Sequence, residues 1–479
     1  MKPIDIGCRL ELMVDDCLVE RFGGAAALRL HRPTPKEIVL VTDRPWEGNM
    51  CGYVTVFKDD DRYRMYYKAW HGEFQGGGFV ERPIRIALAE SPDGVRWERP
   101  ELGLYEFEGS RNNNIVWWES EQEHRGAHGF APFRDENPTC PPESLYKAVG
   151  AGEFGTRPGL YAMCSPDGIH WSLMQEEPVI TEGAFDSQNL AFWDSVRGEY
   201  RAYVRDFREG RRDIRTATSD DFIHWTSPEW LDYPGAPPEQ LYTNQVIPYH
   251  RAPHIFAGFP TRYVERKWSE AIEHLPELEH RRLRSSVSER YGAAVTDGLF
   301  MTSRDGLTFK RWGEAFIRPG LRPTGNWTYG DNYQAWGILE TESDVAGAPR
   351  EMSFYATEGY WRGKSTAFRR YTLRLDGFVS VQAPLSGGES VTKPLLFSGS
   401  ELVINFAASA AGSVLIEVQR PDARPVEGFA LADCIELLGD DLERKVRWSG
   451  GRNLPALSGT PVRLRFVLAD ADFYAFRFR

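Results

Sequence analysis

Short apolar runs alternate with polar, glycine-rich turns along most of this chain. Tyr53–Phe57, Tyr63–Lys68 and Ile86–Ala89 form a first group, and Gly129–Phe133, Leu145–Val149 and the run from Leu160 form a second. Asn189–Trp193, Tyr200–Val204 and Ile214–Ala217 follow, then Gln245–Tyr249, His254–Ala257 and the run from Leu299. A fifth group holds Ala335–Leu339, Met352–Ala356 and Phe368–Leu373. Most alternate or stay apolar over about five residues, the length of strands.

A seven-residue phrase punctuates these groups. Ser91-Pro-Asp93-Gly94-Val-Arg-Trp97 returns at Ser165–Trp171, at Ser219–Trp225 and at Ser303–Phe309, with a worn copy at Arg374–Phe378. Asp-Gly is a turn signal, and the Ser and Asp side chains can bind nearby backbone amides. The closing aromatic can pack between neighbouring sheets. Each phrase therefore predicts a hairpin within one four-stranded blade. Five copies predict an all-β, five-bladed β-propeller. On this reading the phrases build the fold and carry no chemistry.

Two segments depart from the pattern. Residues 265–290 are highly charged, and Trp268, Ile272, Leu275 and Leu278 recur at helical spacing. They predict a surface helix inserted into the fourth blade. Its expected role is a solvated excursion, with a pocket lid or a homo-oligomer contact as alternatives. After Pro384, Glu401–Phe406, Ser413–Val418 and Val462–Val467 alternate as in a small antiparallel β-sandwich. The expected domains are a propeller over 1–384 and a β-sandwich over 385–479.

Composition narrows the function. The chain has 479 residues, a net charge of −12, and 13% aromatic residues including 15 Trp and 20 Tyr. No basic patch or nucleic-acid motif stands out, so a nucleic acid is not an expected partner. No run of 18 or more apolar residues is present, so no membrane span is expected. The N-terminal residues lack an apolar signal core, which suits a cytoplasmic location. The six cysteines show no paired spacing and no histidine partners, so buried thiols are expected. No metal and no cofactor are expected.

The candidate chemistry lies where each blade's first strand begins, because those positions converge on one end of a propeller's axis. They offer Glu47 and Asn49 in blade one, Asp186 in blade three, Glu239, Tyr242 and Asn244 in blade four, and Asp331 in blade five. Asp135 follows the second blade's first strand, and Glu358 lies in the aromatic-rich stretch Tyr355–Arg362. Arg205-Asp206 and Arg212-Asp213 are expected to form ion pairs flanking a hairpin. Glycoside hydrolysis needs two carboxyl groups, one protonated and one ionised, with amides and aromatic faces to hold the sugar.

The propeller with an appended sandwich resembles glycoside hydrolase families 32 and 43. Phe185-Asp186-Ser187, running into Phe192-Trp193-Asp194, is similar to the Ile-Asp-Pro-Ser motif of family 43 and its following strand. Pro238-Glu239 is similar to the strand-start acid of that family. The resemblance implies Glu239 as general acid and Asp186 as the residue that orients it and tunes its pKa. The family's blade-one Asp is replaced here by Glu47 or Asn49, so either Glu47 takes the base or nucleophile role or the apparatus is rearranged. Asp135 resembles the transition-state Asp of family 32. Asn49, Asp135, Tyr242, Asn244, Asp331 and Glu358 would line the pocket. The implied activity is a glycosidase acting on an oligosaccharide or glycoside. The alternatives are a non-catalytic carbohydrate-binding propeller, or a phosphorylase or lyase on the same scaffold.

Overall fold

The computed structural model describes residues 2–75, 78–118, 126–152, 157–322, 325–449 and 454–479. Two units divide the chain: residues 33–249 with 253–373, and residues 1–32 with 250–252 and 374–479. The chain is almost entirely β-structure.

The larger unit holds five four-stranded antiparallel sheets in chain order. The first pairs Gly52–Asp59, Arg62–Ala69, Arg85–Ser91 and Ile115–Trp118. The second pairs His128–Arg134, Tyr146–Ala151, Leu160–Ser165 and Ser172–Leu173. Leu190–Asp194, Glu199–Arg208, Arg211–Ser219 and Glu229–Trp230 form the third. The fourth contains Ile247–Tyr249, Ala252–Gly258, Met301–Ser303 and Phe309–Arg311. The fifth contains Leu339–Thr341, Glu351–Glu358, Ala367–Arg374 and, from far upstream, Thr34–Val41.

The repeated phrase forms one turn four times. Ser91 Oγ accepts the Gly94 N–H at 2.9 Å, and Asp93 Oδ1 accepts those of Val95 and Arg96 at 2.9 and 2.8 Å. Trp97 Nε1 then donates to the Gly94 carbonyl. Ser165 and Asp167, Ser219 and Asp221, and Ser303 and Asp305 bind the same amides of their own copies. The fourth position has a left-handed backbone, with φ of +75°, +76° and +81° at Gly94, Gly168 and Gly306. Glycine accepts that conformation without a Cβ clash. The third copy has Phe222 there at φ +70°. Its ring is fully buried against Phe133, Tyr200 and Trp225, and that packing holds the strained residue in place.

These turns also join sheets. Tyr66 of the first sheet donates to the Gly168 carbonyl of the second, and Tyr203 of the third to the Gly306 carbonyl of the fourth. Tyr355 of the fifth donates to the Gly94 carbonyl of the first. Between the sheets lie continuous apolar layers, such as Val56, Met65, Ala87, Trp97 and Phe368 between the fifth and first.

The sheet openings meet in a buried amide hub. Gln188 Nε2 donates to the Tyr53 carbonyl and to Thr55 Oγ1. Gln245 Nε2 donates to Gln188 Oε1 at 2.7 Å and to the Gln334 carbonyl at 2.9 Å. Thr55 pairs with Trp336 in a parallel bridge. Gly129 packs so closely on the Ser187 carbonyl that a Cβ would sit 2.5 Å from it. Residues entering all five sheets thus touch one another directly.

Four expectations are corrected. The worn phrase at Arg374–Phe378 closes no hairpin in the fifth sheet, because its residues belong to the other unit and Thr34–Val41 supplies the fourth strand. The single helix over 265–290 is three short ones: α1 (Glu270–Glu273), α2 (Leu278–Val287) and α3 (Glu289–Ala293). Pro276, lacking an N–H, stands in the break between α1 and α2. A fully solvated excursion is also excluded, since α2 buries Arg281 and Arg284 completely. All six cysteines are free thiols, but only Cys51 is fully buried and Cys8 is exposed.

In the smaller unit, hydrogen bonds join eight strands into one connected sheet. Its two long members, Leu402–Gln419 and Arg463–Phe478, pair antiparallel with a register break between Ala408 and Ser413. Phe406, Ile416, Phe466, Phe473, Phe476 and Phe478 form its core. No helix among the described residues is long and apolar enough to cross a membrane.

Candidate functional site: an aromatic cluster at the sheet openings

Next to the amide hub, aromatic rings from three sheets and from the segments entering them gather in one cluster. Tyr53 stacks on Tyr333, with centroids 6.3 Å apart, and Tyr333 packs on Tyr242 at 5.4 Å. Tyr329 donates its hydroxyl to Tyr242 Oη at 2.9 Å. Trp361 contacts Tyr329 at 5.2 Å, Tyr291 at 5.0 Å and Phe74 at 5.1 Å. Tyr53, Tyr242, Tyr329, Tyr333, Tyr360 and Trp361 each keep 5–8% of their surface accessible.

Backbone strain concentrates here. Tyr53, Gln245, Asn332 and Trp361 are left-handed at φ +49°, +46°, +63° and +61°. The register of the first sheet shifts between Gly52 and Thr55, which kinks the strand at Tyr53. Gly330 lies so close to Tyr360 that a Cβ would meet the ring at 2.0 Å. Non-glycine residues in this region cost about 1–3 kcal/mol each and persist where the surroundings over-determine them, often at binding sites.

Cations ring the cluster. Lys68 Nζ lies 4.3 Å from the Tyr53 ring centre and 4.0 Å from that of Trp70. Arg212 lies 4.5 Å over Tyr263, Arg205 5.5 Å over Tyr242 and Arg284 5.8 Å over Trp361. Burial pushes the phenols of Tyr53, Tyr329, Tyr333 and Tyr360 well above their ordinary range. They remain neutral at physiological pH and can donate hydrogen bonds. Among the described residues, no three His, Cys, Asp or Glu side chains gather as a metal-ligand set.

Of the residues singled out in the sequence, Asp186 and Tyr242 reach the cluster. The Asp186 side chain is 63% exposed and pairs with Arg205, and its carbonyl accepts the Tyr53 hydroxyl. Asp331 lies directly behind, fully buried, with Oδ1 accepting the Tyr360 N–H at 2.9 Å and Oδ2 bonded to Thr328. Burial raises its carboxyl to about 6 against the opposing charges of Arg362 and Arg284. Asn49 braces the rim: its amide bonds Gly72 and Gly363, and its carbonyl accepts the Trp361 N–H at 2.6 Å.

The other carboxylates are committed elsewhere. Glu47 is buried under Arg99, which binds both its oxygens at 2.7 and 2.9 Å, with further bonds from the Tyr67 hydroxyl and the Arg44 N–H. Glu239 is held by Arg262 and Arg311. It also faces away from the rings. Gln240 pairs with Tyr263 and Leu241 with Arg262, so strand alternation puts Tyr242 and Tyr263 on one face and Glu239 with Arg262 on the other. Asp135 is locked by Lys147 and the Tyr200 hydroxyl, and Glu358 by Arg369. Asn244 organises backbone, bonding the Tyr203 carbonyl and the Val246 N–H. Among the described residues, Glu47 and Glu239 share no hydrogen-bond or ion-pair partner.

Three of the four charged residues flanking the hairpin are ion-paired. Arg205 pairs with Asp186, Asp206 with Arg215 at 3.0 Å and Asp213 with Arg208 at 3.9 Å. Arg212 bonds Gln240 Oε1 instead. Tyr53, Tyr329 and Tyr333, which also stand at sheet openings in the sequence, join Tyr242 in the cluster without having been among the expected site residues.

No protein-family model and no curated protein matches this sequence. Among solved structures, the chain is similar to an N-acetylgalactosamine deacetylase from F. plautii, at 13% identity and a TM-score of 0.45, over 72% of this chain and 96% of that one. It is similar to a glycosyl hydrolase from Bacteroides ovatus at 15% identity and a TM-score of 0.39, over 72% and 94%. A GH32 β-fructofuranosidase of Bombyx mori aligns at 9% identity and a TM-score of 0.41, over 94% of each chain.

Proposed function

We propose that this protein is a carbohydrate-active enzyme that binds a glycan on the tyrosine cluster and acts on its glycosidic bond there. The five sheets are read as the blades of a propeller, and the smaller unit as an accessory β-sandwich. The observation that carries the proposal is the cluster itself. Six tyrosine and tryptophan rings sit at the sheet openings, each slightly accessible, with one well-exposed carboxylate, Asp186, fixed by Arg205. Aromatic faces stack on the C–H faces of sugars, and neutral phenols donate to sugar hydroxyls.

In this reading Asp186, paired with Arg205, faces the positive charge that develops at the sugar in glycosidic cleavage. Asp331 acts as a positioning residue, because it holds the backbone of Tyr360. Glu239 and Glu47, bound by arginines away from the rings, serve the scaffold. The test is a panel of oligosaccharides and aryl glycosides analysed for released sugar. Asp186→Asn should lower turnover about a hundredfold or more.

One observation favours a second reading, glycan binding without turnover. Asp186 is the one predicted carboxylate that is both exposed and at the cluster, whereas hydrolysis needs two carboxyl groups. Sugar binding with no product across the panel would select it.

A further inference from the structure

Among the described residues, Arg284 is the buried arginine with all three guanidinium nitrogens lacking a hydrogen-bond partner. Its side chain comes from α2 and is fully buried, and its Nε, Nη1 and Nη2 have no hydrogen-bond acceptor among the described residues. Its neighbours are all engaged. Arg281, one turn earlier, donates to the carbonyls of Pro276, Gly292 and Trp327. Arg362 is paired with Glu277 at 2.7 Å. Asp331, the nearby carboxylate, spends its oxygens on Tyr360 and Thr328. A buried guanidinium with unfilled donors is one of the costlier features a fold can carry, and it is retained where something else supplies the acceptors.

A second donor stands beside it. Trp361, whose ring lies 5.8 Å from the Arg284 guanidinium carbon, is buried, and its Nε1–H also lacks an acceptor. The helix that brings Arg284 is tied down on this side. His280 of α2 bonds the Trp361 carbonyl at 2.6 Å, and its ring packs on Phe74. Lys68, Arg205 and Arg212 lie against other rings of the same cluster. The carboxylates near these rings are Asp186, paired with Arg205, Asp331, Glu81, Glu265 and Glu277, and none of them hydrogen-bonds Arg284.

We propose that Arg284 and the Trp361 indole N–H form an oxyanion site, and that the glycan bound at the cluster is acidic, presenting a carboxylate or an ester sulfate to this pair. A guanidinium offers parallel donors matched to two oxygens of such a group, and the indole N–H supplies a further one. That the anion is borne by a sugar rests on the function proposed above; that an oxyanion binds here does not.

The test compares wild type with Arg284→Met and Arg284→Lys. Without ligand, Arg284→Met removes a buried guanidinium whose donors have no acceptors, against only the through-space attraction of Asp331 and Glu277, and should raise the melting temperature by about 2 °C or more. A fall, or failure to fold, would mean that Arg284 is already paired and would overturn the proposal. Sodium glucuronate, sulfate, inorganic phosphate and neutral glucose are then titrated at constant ionic strength, followed by tryptophan fluorescence. At least one oxyanion should bind wild type and weaken about tenfold or more in both variants, while glucose behaves alike in all three. Oxyanion affinity unchanged in Arg284→Met would also overturn it. Glucose binding with no oxyanion effect refutes the anion site and leaves the glycan reading standing. Binding of sulfate or phosphate through Arg284, with no sugar bound, refutes the glycan reading and leaves the site standing.

Discussion

The Tyr203 hydroxyl donates to the carbonyl of Gly306 over 2.8 Å, from the second strand of the third sheet to the repeated turn of the fourth. Tyr66 and Gly168 repeat the bond between the first and second sheets, and Tyr355 and Gly94 between the fifth and first. All three hydroxyls are buried, so their removal leaves a carbonyl short of a donor. Tyr203→Phe, Tyr66→Phe and Tyr355→Phe should each lower unfolding free energy by about 1 kcal/mol. Urea titration of the single variants checks this, and Tyr355→Phe specifically tests the contact between the last sheet and the first.

Phe222 sets strain against burial. Its φ of +70° would suit glycine, as at the three equivalent turns. Relief of that backbone is worth about 1–2 kcal/mol, whereas deleting a buried phenylalanine ring costs about 3–5 kcal/mol. Phe222→Gly should therefore destabilise by a net ~2–3 kcal/mol, measured by thermal or urea unfolding.

The same turns set the acid limit of the fold. Burial alone would raise the carboxyls of Asp93 and Asp167, but backbone N–H donors, with Arg96 and His170, outweigh it and bring both to about 2. Their folded values lie below the ordinary 3.8, so their stabilisation is complete above about pH 4 and disappears as pH falls towards 2. Urea midpoints should drop across that window. The drop should be shallower in Asp93→Asn/Asp167→Asn, whose stability is already lower at pH 7.

Glu47 illustrates a carboxylate whose role is structural. It neutralises Arg99, whose side chain is 14% exposed, and accepts the Tyr67 hydroxyl. Glu47→Gln leaves that arginine only the exposed Asp43, 3.7 Å away, as counter-charge and should cost about 2–3 kcal/mol. Melting curves test the cost, and turnover per folded molecule should remain within a few-fold of wild type.

The turns were legible in the sequence because Ser, Asp, Gly and Trp bond one another within seven residues. The strand Thr34–Val41 was not, since its partner Ala367–Arg374 lies at the far end of the unit. The position of Asp186 before a sheet is legible in the sequence. The ion pairs of Glu239 are not, because facing depends on strand parity and its partners, Arg262 and Arg311, are distant in sequence. In α2 the usual rule of burial is inverted. Leu283 is 41% exposed, while Arg281 and Arg284 are buried, an arrangement that apolar periodicity cannot reveal.

The central claim is that chemistry or recognition occurs at Asp186 and not at Glu239. Asp186 is mostly exposed but is the counter-charge of the buried Arg205, so Asp186→Asn should cost about 1–3 kcal/mol of stability. Glu239 neutralises the buried Arg311, so Glu239→Gln should lose ~2–4 kcal/mol of stability. The most direct measurement is glycan binding and sugar release by both variants, at a temperature where both are folded. The account predicts loss of binding or turnover in Asp186→Asn and its retention in Glu239→Gln. Full activity in Asp186→Asn, or abolished turnover in a folded Glu239→Gln, would contradict it.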